Sequence, residues 1–206
     1  MKTSQTGDTG WNAYYEFTRH APPRDTLLKA LAAFEEEQFQ GMAVDLGCGN
    51  GRDCMPLLEK GWRVLAVDRE AGAEHFIRDL LPSKWEDQFV FVTTSFEELD
   101  WPTVDFVNAS YALPFCPRDS FEPLWQKMCT ALRSGGRFAG HFLGQEDDWA
   151  TEWNVQTHSR QAIDDLFAHW TLEDFREEQS DEKGLGGHWK HWHIYHVVAR
   201  YSRKSG

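Results

Sequence analysis

The chain of 206 residues contains little of what marks secreted, disulfide-bonded or membrane-spanning proteins. Its cysteines are few: Cys48, Cys54, Cys116 and Cys129. They form no Cys-x-x-Cys pair, so neither a disulfide framework nor a cysteine-rich zinc site is indicated. No apolar run approaches the ~18 residues that cross a membrane. Residues 1–10 are polar where a secretory signal would be apolar. These absences predict a cytoplasmic protein with reduced thiols.

Positive charge is also scarce. The chain has 21 Lys and Arg against 33 Asp and Glu, which gives a formal net charge of −12. A nucleic-acid surface is not expected, because binding needs clustered cations that neutralise phosphates. A small-molecule substrate is compatible with this charge. With 41% hydrophobic and 26% charged residues, the chain has enough apolar side chains to fold around a core.

What the sequence does have is a regular alternation of short apolar runs and helical patterns. Such alternation is typical of a parallel sheet that is covered by helices on both faces. The predicted strands of this part lie at 42–46, 63–67, 89–93, 104–109 and 137–143.

The C-terminal part has a different pattern. A Gly-rich turn at 184–187 separates a segment around 171–178 from a strand predicted at about 189–201, which indicates an antiparallel hairpin. No internal repeat or linker interrupts the chain. We therefore predict one domain, 1–206, of the doubly wound α/β class, with a mostly parallel sheet and an antiparallel C-terminal hairpin.

The most informative segment joins the first strand to the helix after it. Asp45 comes near the end of the strand, and Gly47, Gly49 and Gly51 follow at alternate positions before a helix begins. Glycines at such positions let the backbone approach a nucleoside-like ligand at a helix N-terminus. Asp68 ends the next strand, 21 positions after Gly47. That is the place for an acid that binds the two hydroxyls of a ribose.

Residues at the next strand ends complete the predicted ligand site. In open α/β sheets, ligands bind beyond the carboxyl ends of the strands, where the helices part to opposite faces. Ser95 and Phe96 follow the third strand, and Asn108 and Ala109 end the fourth. Arg69 follows the acidic end of the second strand and belongs to the same predicted group.

The order Asp-x-Gly-x-Gly-x-Gly resembles motif I of the class I methyltransferases, which use S-adenosylmethionine (SAM). The resemblance implies seven strands, SAM as the cofactor and S-adenosylhomocysteine (SAH) as its product. It also implies that Asp45 accepts from the amine of the cofactor and that Asp68 binds its ribose. The pair after the third strand would contact adenine, and the pair that ends the fourth would hold the methionine part.

Within the class, the chain most resembles the small bacterial methyltransferases of the tellurite-resistance and thiopurine type. Residues 49–53 are similar to a Gly-Asn-Gly-Arg-Asn pattern of the tellurite-resistance proteins, although Asp53 replaces the final Asn. In these relatives an aromatic-rich segment before motif I closes over the cofactor, which implies a lid at 1–24. Its functional residues would be Trp11, Tyr14, Tyr15 and Arg19. Arg19 would pair with the methionine carboxylate.

Catalytic residues are less evident than cofactor residues. Methyl transfer from a sulfonium is an in-line displacement in which alignment is the main contribution of the enzyme. A thiolate or a chalcogen oxyanion needs no base, whereas an oxygen or amine acceptor needs one. The best candidates are His191 and His193, which share one face of the last predicted strand. The alternative is that they only fill a half-buried strand. His141 is a further candidate.

No metal site is predicted, because two histidines on one face supply too few ligands. The sequence thus predicts SAM-dependent methylation of a small molecule, with a thiol or a chalcogen oxyanion among the acceptors considered. Two other functions stay open. One is an NAD(P)-dependent oxidoreductase, although the glycine spacing differs from the dinucleotide fingerprint. The other is a SAM-binding module without catalysis. No membrane or nucleic-acid partner is expected, and the sequence does not indicate the oligomeric state.

Overall fold

The computed structural model describes residues 10–153, 155–183 and 187–202 as alternating helices and strands. The helices are α1 (Trp11–Phe17), α2 (Asp25–Glu36), α3 (Cys54–Glu59), α4 (Gly72–Leu80), α5 (Arg118–Ala131), α6 (Trp149–Glu152) and α7 (Arg160–Leu166). The strands are β1 (Met42–Leu46), β2 (Arg63–Asp68), β3 (Phe89–Thr93), β4 (Val104–Ala109), β5 (Leu132–Gly144), β6 (Thr157–His158), β7 (Trp170–Lys183) and β8 (Trp189–Tyr201). None of the described helices has the length and apolar character needed to cross a membrane.

The sheet has the strand order β3-β2-β1-β4-β5-β8-β7, and the short β6 pairs with the end of β5. Strands β1 to β5 are parallel to one another, whereas β8 is antiparallel to both β5 and β7. The doubly wound, mostly parallel fold with an antiparallel C-terminal hairpin is therefore confirmed. The described residues contain one short strand, β6, beyond the seven that the resemblance implied.

The reversal of strand order beside β1 decides where a ligand can bind. The chain leaves β1 for β2 and β3 on one side, then crosses back to β4 and β5 on the other. The helices on the two sides of this point part to opposite faces, which opens a crevice at the carboxyl ends of β1 and β4. Both strands are buried on both faces, as their nearly continuous apolar sequences require.

Apolar side chains pack on both faces of the sheet. On one face, Phe34 of α2 lies against Trp62 and Phe106, with ring centroids 4.7 Å and 5.7 Å away. On the other face, Trp125 of α5 lies 5.5 Å from the ring of Phe138. Two packed layers hold the strands rigidly, so residues at the strand ends have fixed relative positions.

A buried ion-pair group anchors the far side of the sheet. Arg137 of β5 is 2% exposed. It donates to Glu37, just after α2, at 2.7 Å and 2.8 Å, and to Glu173 of β7 at 2.6 Å and 2.9 Å. The hydrogen bonds from Arg137 hold the pKa of Glu37 below its usual value. The group fixes α2 and β7 onto β5, and thereby positions the start of α2 near the carboxyl end of the sheet.

Candidate active site

The turn between β1 and α3 lies at the carboxyl end of the sheet. Gly47, Gly49 and Gly51 have φ angles of 63°, 53° and 78°, all in the left-handed region. A Cβ atom added at Gly49 would lie 3.1 Å from Cε1 of Tyr15. A side chain at Gly49 would therefore meet both an unfavourable torsion and a crowded neighbour.

Asp68, at the end of β2, faces this turn and is 6% exposed. Its Oδ2 accepts from the backbone N–H of Gly49 at 2.9 Å, and its Oδ1 accepts from the N–H of Glu70 at 2.9 Å. The hydroxyl of Tyr15 donates to Oδ2 at 3.4 Å. Burial raises the pKa of Asp68, while the two backbone donors act in the opposite direction. The carboxylate is thus held beside the turn, where it can accept from the hydroxyls of a ribose.

A buried polar network lies beside the same turn. The amide Nδ2 of Asn108 donates to Asp45 Oδ1 at 2.8 Å and to Asp53 Oδ2 at 3.1 Å. The thiol of Cys54 donates to the other oxygen of Asp45 at 3.1 Å. Burial, and next the charge of Asp53, raise the pKa of Asp45 to about 7. A cation near Asp45 would lower that pKa again, so the network suits the ammonium group of an amino acid.

The other predicted cofactor residues lie at different distances from the turn. Phe96 contacts it: Cζ lies 3.5 Å from the position of a Cβ on Gly47. Ser95 is half-buried next to Phe96, and Ala109 is fully buried at the end of β4. The side chain of Arg69 is 56% exposed and lies 3.6 Å from Glu70. The structure therefore brings Phe96 to the glycine turn and leaves Arg69 at the surface.

The N-terminal helix α1 covers the glycine turn. Tyr15 is only 4% exposed, because its ring packs against Gly49 and its hydroxyl reaches the carboxylate of β2. The amide of Asn50 donates to the carbonyl oxygen of Tyr15 at 2.8 Å and to Thr18 Oγ1 at 3.0 Å. Motif I thus fastens the helix that lies over it. Residues 1–9 of the predicted lid lie outside the described residues.

The remaining predicted lid residues make contacts within or beside α1. Tyr14 packs edge-on against Trp11, with ring centroids 5.8 Å apart. Arg19 donates to Asp79 at 3.2 Å and to Glu16 at 3.4 Å. These two ion pairs must open before Arg19 can pair with a methionine carboxylate, as the resemblance implied.

A second group of side chains lies beyond the ends of β4 and β5. Tyr111 has a φ angle of 55°, which is uncommon for a residue other than glycine. Its ring stacks on the imidazole of His141, with centroids 4.1 Å apart and planes 11° from parallel. The guanidinium carbon of Arg24 also lies over the Tyr111 ring, 4.5 Å from its centroid. Ala112, the residue after Tyr111, lies against the glycine turn, with its Cβ 2.7 Å from the position of a Cβ on Gly47. The group therefore borders the same crevice as the turn.

The two histidines that were predicted to be catalytic both have partners on β7 or the loop after β5. His193 Nε2 lies 3.0 Å from Glu177, and its Nδ1 accepts from the N–H of Glu146 at 3.4 Å. His191 Nδ1 lies 2.7 Å from Asp181. These contacts join β8 to its surroundings on the face opposite to the Tyr111 stack, since side chains alternate along a strand. A catalytic role of either histidine stays a prediction.

One cluster has the residue types of a metal site. Candidate ligand atoms of Asp25, His141 and His196 lie within 4.8 Å of one another. However, His141 is also near three arginine side chains, whose charges help to lower its pKa. The same positive charge opposes a metal cation, which weighs against a metal ion at this cluster.

No site role was predicted for Asp53 or Arg24. Asp53 accepts from the backbone N–H of Arg24 at 3.0 Å, and so connects the start of α2 to the buried network. The neighbouring Arg52 donates from Nε to the carbonyl oxygen of Pro22 at 3.0 Å. The sequence feature that could have indicated these roles is the polar run that directly follows the first two motif glycines. Each polar side chain of that run, from Asn50 to Asp53, fastens a segment that precedes β1.

Comparison with known proteins agrees with this geometry. Residues 43–136 match a family model that is described as a methyltransferase domain. The matched range contains the glycine turn, Asp45, Asp68 and Asn108. No curated protein matches the chain at a significant level.

Solved structures show the same fold at low sequence identity. TehB from Haemophilus influenzae matches with a TM-score of 0.66 and 16% identity, over 84% of this chain and 61% of TehB. The 1,6-didemethyltoxoflavin-N1-methyltransferase of Burkholderia thailandensis, solved with SAH, matches with a TM-score of 0.65 and 19% identity. The match covers 95% of this chain and 87% of that protein. The magnesium protoporphyrin IX methyltransferase ChlM of Synechocystis PCC 6803, also solved with SAH, matches with a TM-score of 0.65 and 16% identity. The match covers 95% of this chain and 96% of ChlM. The chain thus spans about three fifths of TehB and most of the other two proteins.

Proposed function

We propose that the chain is a class I SAM-dependent methyltransferase that methylates a small molecule. Its residues 43–136 match the model of a methyltransferase domain, which supports the proposal. One observation carries the proposal: Asp68, Gly49 and the buried pair Asp45 and Asn108 converge on one turn at the switch point of the sheet. Asp68 suits the ribose hydroxyls of SAM, and Gly49 lets the ligand approach the backbone closely. Asp45 and Asn108 suit the amino-acid end of SAM.

The residues of the chain bind and align, which is the main requirement of the reaction. SAM, when bound, supplies an electrophilic methyl group on a sulfonium. Asp68 accepts from hydroxyls, and Asp45 accepts from an ammonium whose charge replaces the proton that burial favours. Helix α1 excludes water from the turn. An acceptor placed in line with the departing sulfur then reacts by proximity and orientation.

We also propose that the chain functions as one domain, 1–206, with 1–24 as a lid. The contacts of Asn50 with α1 support this, because they connect the lid to the glycine turn. The proposed cofactor residues are those predicted from the sequence: Trp11, Tyr14, Arg19, Asp45, Gly47, Gly49, Gly51, Asp68, Arg69, Ser95, Phe96, Asn108 and Ala109. Four free thiols support a cytoplasmic location.

Calorimetric titration with SAH tests the proposal. We expect wild-type protein to bind SAH and not NADPH, and Asp68→Ala to weaken SAH binding by about 100-fold, since a charged hydrogen-bond acceptor is lost. The exposed Asp100→Ala is the matched control and keeps wild-type affinity. Binding of NADPH in place of SAH, or equal SAH affinity of Asp68→Ala and wild type, would contradict the proposal.

A further inference from the structure

Six partly exposed aromatic rings lie at the carboxyl edge of the sheet, beside the cofactor residues, and one of them, Trp11, is also a proposed cofactor residue. We call them the aromatic belt: Trp11, Tyr111, Phe115, Trp149, Trp153 and Trp192. Neighbouring rings touch, with centroids 5.3 Å apart for Trp11 and Phe115 and 5.0 Å for Trp149 and Trp153. Trp153 is 57% exposed. A contiguous group of exposed rings next to a cofactor turn indicates a surface for an apolar ligand.

A cavity adjoins this belt. It has a volume of about 460 Å³, and its walls include Phe115, Trp153 and the rigid Pro114–Pro117 segment. That volume lies in the range of small-molecule pockets, roughly 300–1,000 Å³. Its lining also includes the charged residues Arg118 and Asp119. The rings of Phe115 and Trp153 favour a flat ligand, because stacked and edge-on rings gain more than their buried area alone. The belt and the cavity therefore indicate an aromatic ligand.

His141 lies at the inner end of the belt, beneath the ring of Tyr111. Its Nδ1 is buried, and no group in the described ranges makes a hydrogen bond to it. An unpaired buried nitrogen is costly and calls for an explanation. The same holds for both ring nitrogens of His158, so the case for His141 rests also on its place beneath Tyr111. By contrast, His193 has a partner at each ring nitrogen. The strained backbone of Tyr111 holds its ring flat on His141, and such strain also concentrates at functional sites.

The surroundings of His141 keep it neutral. Burial is the largest cause that holds its pKa well below the usual value, and the positive groups nearby add to this. A neutral imidazole has a lone pair available at neutral pH. Burial also raises the pKa of Tyr111 to about 12, so that its hydroxyl stays protonated. The titratable and charged groups that face His141 are His196 of β8, Arg176 of β7, Arg24 and Asp25 at the start of α2, Arg52 after the glycine turn, and Tyr111.

Resting on the proposed methyltransferase function, we propose that the acceptor is a planar aromatic molecule with an ionisable O–H or N–H, bound along the aromatic belt, and that His141 accepts its proton. The new bond joins the methyl carbon to the oxygen or nitrogen of the acceptor. The bond from that carbon to the sulfonium breaks, and its electron pair stays on sulfur as a thioether. The proton leaves the acceptor for the imidazole of His141 and passes from there to water.

The first test measures binding by calorimetry to the protein saturated with SAH. The probes are 2-naphthol, 8-hydroxyquinoline and benzimidazole, with 2-mercaptoethanol and selenite as non-aromatic comparators. We expect the aromatic probes to bind and Trp153→Ala to weaken them about fivefold or more. Trp189→Ala, another exposed tryptophan outside the belt, is the matched control and keeps wild-type affinity. Failure of every aromatic probe to bind, or equal effects of the two variants, would overturn the proposal.

The second test measures methylation of 2-naphthol from labelled SAM between about pH 6 and 9. Such a hydroxyl, like that of tyrosine, ionises near pH 10. With a neutral base in place, the wild-type rate stays nearly constant over this interval. In His141→Gln only the ionised acceptor reacts, so its rate rises about tenfold per pH unit. His141→Asn is a second variant in case the first does not fold. His169→Gln, an exposed histidine, retains the wild-type profile.

The outcomes separate this inference from the proposed function. Failure of the wild-type protein to bind SAH contradicts the proposed function itself. SAH binding together with methylation of only mercaptoethanol or selenite keeps that function and overturns the aromatic acceptor. Aromatic probes that bind but are not methylated also overturn it, and the same pH profile for His141→Gln and wild type overturns the role of His141.

Discussion

The two halves of the site are built in different ways. The cofactor half consists of one continuous segment, 45–53, and the acid Asp68 at the next strand end. Its polar side chains have partners, such as Asn108 with two carboxylates. The acceptor half collects Tyr111, His141 and other side chains from separate elements, with a strained backbone and an unpaired buried nitrogen.

The difference shows what each half must satisfy. The proposed cofactor half would bind a ligand that many proteins share, mainly through the backbone shape at its glycine positions. That shape needs only a short, local sequence pattern, and the family match over residues 43–136 contains it. The acceptor half depends on long-range pairing of β4, β5 and β8 and on the start of α2. Residues that face an acceptor vary among proteins that share a fold.

The largest expected effect breaks the cofactor half alone. Gly49→Ala places a Cβ 3.1 Å from Tyr15 at a φ of 53°. We expect SAH affinity to fall by 100-fold or more and the unfolding midpoint to drop. Gly187→Ala is the control, since Gly187 also has a positive φ, of 80°, but an added Cβ there has no neighbour within 4 Å. Calorimetry and thermal unfolding measure both; equal losses of SAH affinity would show that crowding at the turn is irrelevant.

The next effect concerns pH and Asp45. Because the folded-state pKa is about 7 and an unfolded Asp has about 3.9, Asp45 stabilises the fold fully below pH 3.9, and that contribution is lost as pH rises towards 7. Asp45→Asn does not titrate. As pH rises across this interval, we expect the free energy of unfolding of the variant to increase relative to that of wild type, by up to about 4 kcal/mol. SAH at saturation should reduce the gain.

Denaturant unfolding at several pH values measures the effect of Asp45→Asn. The affinity of this variant for SAH should also fall, by about tenfold or more, because the ammonium loses its counter-charge. Parallel stability curves for the two proteins would mean that Asp45 titrates normally in the fold.

A smaller effect separates the lid from the site beneath it. Asn50→Ala removes both hydrogen bonds that fasten α1. The buried carbonyl of Tyr15 then lacks this donor, at a cost of about 1–3 kcal/mol. We expect faster amide exchange in α1 with little change in β1 or β4, as measured by hydrogen-exchange mass spectrometry. Unchanged exchange in α1 would show that other contacts hold the lid.

The smallest expected effect concerns His191, which lies on the strand face opposite to the Tyr111 stack. His191→Gln disrupts a partly exposed pair with Asp181, which contributes about 1 kcal/mol or less. We expect stability, SAH affinity and the methylation rate of 2-naphthol to stay near wild type. A large fall in rate with unchanged SAH affinity would instead support the sequence-based prediction that His191 is catalytic.

The sequence predicted the positions of most elements because their patterns are local. The bounds of β1, β3 and β4 agree with the predicted strands, and β8 with the predicted 189–201. β5 begins at Leu132, earlier than the predicted 137, because Leu132 pairs with Val104 of β4. Gly135 and Gly136 lie in a register shift before Arg137 pairs with Phe106. A glycine pair in a single sequence indicates a turn, and only the neighbouring strand makes it part of the sheet.

Side-chain partners were less predictable than strand positions. Arg19 and Arg69 were placed in the cofactor site by their positions near its motifs, yet their side chains pair with surface acids. His191 and His193 lie on one face of a strand, as predicted. The β7 acids that contact them, Asp181 and Glu177, lie 10 and 16 positions away in the chain. Periodicity predicts which face of a strand a side chain occupies, but it does not predict which side chains of a neighbouring strand contact it.

The sequence by itself determined the alternating elements, the glycine turn and the acid at the end of β2, because each depends on torsions and spacings within a few residues. Only the tertiary structure decided that α1 lies on the turn, that Asp53 joins Arg24 to Asn108, and that Tyr111 stacks on His141. These contacts join residues far apart in the chain. Their formation depends on strand order and on the packing of both faces of the sheet, which no local pattern contains.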